Sequence, residues 1–91
     1  MWVDFTSPKF LQLRVLKIEH VFAQVLRKYR LESGMSQHEL AYEANINRNN
    51  VSLYETGARL PTLATLFMLC NAMDVPPEEF IKEVAAYNPE L

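Results

Sequence analysis

A 91-residue chain with a formal charge of −2 has room for one domain with a single modest core, which oligomerisation would help to stabilise, and none for a separate effector domain. No run approaches the ~20 apolar residues of a membrane span and the N-terminus lacks a signal-peptide pattern, so the expected location is cytoplasmic. With Cys70 the one cysteine, two glycines, no hairpin-type turn dipeptide and apolar residues at helical spacing, an intrachain disulfide is excluded and an all-α fold is expected.

Residues 1–9 hold Trp2, Phe5 and Pro8 without a period and read as an arm, or as a segment that orders against a partner. Over 10–18 two readings stand. Leu11, Leu13 and Val15 alternate with Gln12 and Arg14 as in a half-buried strand, whereas Leu11, Val15, Ile18, Phe22, Val25 and Tyr29 recur at steps of 4 and 3 as in a helix. Helix is the favoured reading, continuous or broken near Glu19-His20; a strand paired across a dimer is the alternative. The next helix is predicted over about Val21–Ser33, burying Phe22, Leu26 and Tyr29 and leaving Val25 and Leu31 off that face. Gly34 ends it in the left-handed conformation. Arg27, Lys28 and Arg30 form the densest basic cluster, either a solvated helix face or a set of phosphate contacts.

The stretch from Gly34 to Gly57 reads as two short helices joined by a tight turn. Ser36 and Glu39 make an S-x-x-E capping box, so a helix starts near Gln37, with Leu40, Ala41 and Ala44 as a narrow inner face that lets a neighbour approach closely. Asn45, tolerant of the left-handed conformation, ends it; Ile46 plugs the turn and Asn47 caps the next helix. There Val51 and Tyr54 point inward. The outer face is Arg48, Asn49, Asn50, Ser52 and Leu53. Asn presents a donor and an acceptor that match the adenine edge, and Arg a fork that matches guanine, so a short helix carrying them suits the DNA major groove.

Beyond the Ala58–Pro61 loop, Thr62 caps a helix running to Met73. Leu63, Leu66, Leu69, Cys70 and Met73 suffice for its core face, while Ala64, Phe67, Met68 and Asn71 make a second stripe. A helix apolar on nearly every side is buried on every side, so that stripe calls for a homodimer partner, the N-terminal arm, or the chain's own C-terminal segment. Asp74–Pro77 is a turn. Pro77 suits the first position of a last helix, Glu78 and Glu79 suit its positive end, and Phe80, Ile81 and Val84 would return it to the core. Residues 85–91 are expected to fray.

Through Leu26, Arg30, Gly34, Ser36-Gln37, Leu40-Ala41, Ile46, Val51-Ser52, Glu55, Gly57, Pro61 and Leu69, the chain resembles the Xre/Cro-like (lambda-repressor-like) helix-turn-helix family over roughly 22–84. The resemblance implies a compact five-helix domain over 20–85, with the motif at about 36–56 and an N-terminal extension, helix or strand, over 1–19. It also implies an Arg30–Glu55 pair, a phosphate-binding Gln37, and a homodimer on a palindromic operator in double-stranded DNA. Val25 and Leu31 stand where family members usually carry polar groups. Asn45 stands where the family usually has Gly, and Leu53 where a polar base-reading residue is common; a thymine methyl contact would replace that reading.

The expected DNA-binding residues are therefore Gln37, Arg48, Asn49, Asn50, Ser52, Leu53 and Arg59. Arg59 reads as a phosphate contact or as a loop arginine that touches nothing. The expected dimer interface is Ala64, Phe67, Met68 and Asn71, with Leu11 and Val15 from the extension. Charge is distributed to suit, with eight Lys and Arg against six Asp and Glu up to Arg59 and one against five after it. His20, His38 and Cys70 lack metal-ligand spacing, no nucleophile has a base beside it, and no phosphate-cradling loop is present, so neither a metal, a cofactor, a small-molecule ligand nor an enzyme is expected. The rival reading is a protein-interaction module using the apolar fourth helix and N-terminal stripe.

Overall fold

A computed structural model describes residues 8–87, with side chains from 18 to 87, and contains five helices. They are α1 (Pro8–Glu32), α2 (Gln37–Ala44), α3 (Arg48–Glu55), α4 (Leu63–Met73) and α5 (Pro77–Tyr87). Residues 10–18 are helical and run into the next helix without a break, so the strand alternative does not hold. The side chains of Leu11 and Val15 lie outside the described residues. α5 continues to Tyr87, past the point where fraying was expected.

The four connections between helices share one device. Each preceding helix is followed by a single residue at positive φ: Gly34 (74°), Asn45 (59°), Gly57 (80°) and Asp74 (59°). The next N–H then folds back onto a carbonyl one turn and more upstream, Met35 onto Arg30, Ile46 onto Ala41, Ala58 onto Leu53 and Val75 onto Cys70. Each otherwise orphaned helix end is closed in this way, and the chain reverses within a few residues. Ser36 makes the reciprocal capping box with Glu39, Asn47 accepts from Asn49 N–H, and Thr62 accepts from Thr65 N–H, as the sequence predicts.

α1 is the central rod. α3 and α5 pack on it, and α2 and α4 close the other side of the core. Phe80 of α5 meets Phe22 and Tyr29 of α1, with ring centroids 5.2 and 5.6 Å apart. At the helix surface Glu83 accepts a 2.9 Å hydrogen bond from Tyr29 Oη and pairs with Lys28, clasping α5 to α1.

Three core assignments need correction. Val25 is fully buried, because α1 receives neighbours on two sides and its buried arc takes in Phe22, Val25 and Leu26 together. Leu63 is 68% exposed: it stands at the edge of the core arc, one helical turn before Phe67, and shares that residue's outward side. Ile81 is half exposed, being rotated about 100° from its buried neighbour Phe80. Among the described residues no helix is long and apolar enough to cross a membrane.

Candidate nucleic-acid interface

The two short helices α2 and α3 are held at a set angle from below. Leu40, Ala41 and Ala44 of α2 and Val51 and Tyr54 of α3 are buried, and the two alanines let the helices approach closely around the Asn45 turn. With its inner edge locked, α3 presents Arg48, Asn49 and Leu53 as exposed groups, with Asn50 and Ser52 half buried beside them. Leu53 is 36% exposed.

A buried ionic clasp ties this pair to α1. Glu55, at the end of α3, accepts from Arg30 Nε at 2.5 Å and Arg30 Nη2 at 3.0 Å, while Arg30 Nη1 donates to Met35 O at 2.8 Å. The two side chains are only 9% and 2% exposed. The hydrogen bond that Arg30 donates to the Glu55 carboxylate holds the guanidinium above its ordinary pKa, so its charge is permanent. The expected Arg30–Glu55 pair is present.

Glu55 has a third donor that sequence reading missed. Gln37 Nε2, from the first position of α2, reaches the same Oε1 at 3.0 Å. One carboxylate thus holds the end of α1, the start of α2 and the end of α3. Nothing in residue spacing signals this bond, since it depends on the angle at which α2 meets α3.

The basic cluster of α1 divides in the fold. Arg30 is consumed by the clasp, Lys28 pairs with Glu83 at the surface, and Arg27 is exposed. Arg59 is exposed in the loop after α3. His38 is exposed on α2, and Cys70 is buried with its thiol pushed up to about 11 by desolvation. Among the described residues no three of His, Cys, Asp and Glu come together as a metal site would require.

The second surface of note is α4. Ala64, Phe67, Met68 and Asn71 are all exposed, Phe67 at 53%, and Leu63 extends the stripe. Beside it lies a cleft of about 450 Å³ lined by Phe67, Asn71, Val75 and Pro76 among others. Neither α5 nor any other described segment covers this face.

The helix-turn-helix family model (HTH_3) matches residues 26–80, from the last two turns of α1 to the first turn of α5. The chain belongs to the helix-turn-helix family. It is 34% identical over 65 residues to control protein C.BamHI of Bacillus amyloliquefaciens, spanning 70% of this chain and 80% of that one. In structure it is similar to the restriction-modification controller protein C.AhdI from Aeromonas hydrophila, with a TM-score of 0.66 at 34% identity over 68% of this chain and 94% of that one. The restriction-modification controller protein C.Esp1396I gives a TM-score of 0.70 at 29% identity over 76% and 88% of the two chains. The family is one of DNA-binding transcription regulators and not of enzymes, and this chain is a DNA-binding regulator of that type.

Proposed function

We propose that the chain binds a two-fold symmetric operator as a homodimer, with α3 of each copy in the major groove, and that it controls transcription as a restriction-modification controller does. The observation that carries the DNA reading is the pairing of a polar outer face on α3 with a buried clasp beneath it. Arg48, Asn49 and Asn50 are the base-edge candidates, Leu53 the thymine methyl contact, and Ser52 serves base or phosphate. Gln37, oriented by Glu55 at the start of α2, and Arg59 in the following loop are assigned to phosphates. The similarity to named controller proteins supports the regulatory setting.

The homodimer reading rests on α4. An isologous contact needs a knob and a hole on one surface, and here Leu63, Phe67 and Met68 project beside an apolar cleft. A two-fold symmetric operator read in successive half-sites would then require the two α3 helices on one face of the duplex, about 34 Å apart.

The test is selection of bound duplexes from a random pool by the purified protein and by its Arg48→Ala, Asn49→Ala variant. A two-fold symmetric motif that the variant loses is the expected result. Equal selectivity in the variant would sink the base-reading assignment. No motif from a folded protein would move the function to the apolar face of α4, as a protein-interaction module.

A further inference from the structure

His20 plays no part in the clasp or the core. It is exposed on α1 at the point where α1 meets the end of α3. The partner there is Gly57, in the left-handed conformation at φ 80°. A Cβ at residue 57 would lie 3.1 Å from His20 Nδ1 and 3.7 Å from the Glu19 carbonyl oxygen. Glycine is needed at this point by conformation and by space alike, and its bare backbone lets the imidazole rest against the turn.

That turn is the exit from the recognition helix. Two residues on is Arg59, exposed and already assigned to a phosphate. The charged side chains carried by the segments that meet here are Glu19, next to His20 on α1, Glu55 at the end of α3 and Arg59 in the loop after it. Glu55 is engaged by Arg30 and Gln37.

We propose that His20 is a second phosphate contact on this edge of the DNA-binding face, held against Gly57 and acting beside Arg59, and that its charged form strengthens DNA binding. The inference rests on the DNA-binding reading above. Its physical content is a linkage: an imidazole next to a phosphate gains a proton more readily than the same group facing water, so binding takes up protons and tightens as pH falls. Histidine is the side chain whose charge changes over about pH 5 to 8, which makes the effect visible near neutrality. In a dimer two such contacts form.

The experiment measures affinity for the selected operator at pH 8 and pH 6, over a series of salt concentrations, for the parent chain, His20→Gln and His38→Gln. His38 is the other histidine and the needed control. The parent is expected to bind about five- to tenfold more tightly at pH 6, with a salt slope steeper by about 1.8 for two added phosphate contacts. His38→Gln should keep that difference and His20→Gln should lose it while still binding at pH 8. A pH difference that survives in His20→Gln, or that vanishes only in His38→Gln, overturns the assignment, and so does a parent whose affinity is flat between the two pH values. Absence of operator binding by the parent at pH 8 marks failure of the DNA reading itself, and the assignment falls with it.

Discussion

Removing the Glu55 carboxylate should be the most damaging single change on the DNA-facing side of the fold. Glu55→Ala takes away three hydrogen bonds at once, two from Arg30 and one from Gln37, and leaves the guanidinium with Met35 O as its partner in a site where it is 9% exposed. Breaking a buried pair by deleting one partner costs about 3 to 5 kcal/mol, chiefly because the surviving charge stays desolvated. A domain of this size has roughly 4 to 12 kcal/mol in total, so the variant sits at the margin of folding. Glu55→Gln keeps the volume and one acceptor oxygen and should cost about 2 kcal/mol. The double change Arg30→Met, Glu55→Leu removes both charges and should fall well short of the Ala variant's loss. Urea unfolding followed by circular dichroism, with equal m-values across the set, measures all three. A Glu55→Ala loss under about 1 kcal/mol, the range of exposed pairs, would refute the claim that this clasp is buried and structural.

Glu83 supplies a pH dependence whose sign can be worked out. The Lys28 hydrogen bond first, and that from Tyr29 second, hold its carboxyl below the ordinary 4.5. Its contribution to stability is therefore complete above about that pH and lost as pH falls through the lowered value, so Glu83→Gln should flatten the fall in Tm between pH 5 and 3. Cys70, with its thiol raised to about 11, should resist alkylation at pH 8 at a rate set by unfolding; rapid labelling of the folded chain would contradict its burial. Phe67→Glu puts a charge on the α4 stripe and should give a folded monomer by sedimentation, where an unchanged dimer would move the interface elsewhere.

What could be read from the sequence was local. Ser36, Asn47 and Thr62 cap the residues that follow them, and Gly34 and Asn45 end the helices that precede them, because each acts on backbone groups within a turn of itself. Asp74 does the work of Asn45 one connection later and was legible only as part of a turn. Of the misassigned positions, Leu63 and Ile81 are apolar residues left outside the core, whereas Val25 is taken into it because neighbours reach α1 on two sides. Periodicity marks which residues share a face, but which face is covered depends on the neighbours that arrive, and Leu63 and Phe67 stay exposed because none does. The Arg30–Glu55 pair was available through family resemblance, whereas the bond from Gln37 to Glu55 depends on tertiary angle alone.

That distinction also revises the electrostatics. Counted along the sequence, the first two-thirds of the chain looks basic, with Arg27, Lys28 and Arg30 as its centre. Two of those three cations are paired within the chain, Arg30 in the buried clasp beneath α3 and Lys28 at the surface with Glu83 of α5. Under the proposed reading, the described side chains offered to phosphate are then fewer, chiefly Arg59 with Arg48 sharing between base and backbone, while Gln37 would bind without a charge of its own. A dimer using Arg48 and Arg59 from each copy displaces about four counterions, for a log–log salt slope near −3.6 at pH 8. Arg59→Ala should bring that slope down by about 1.8 and weaken binding to all sequences alike, leaving the selected motif unchanged. A slope far steeper than this would mean that Arg27, or the basic residues of the α1 extension, also reach the duplex, and the surface that meets DNA would extend beyond α2, α3 and the loop after them.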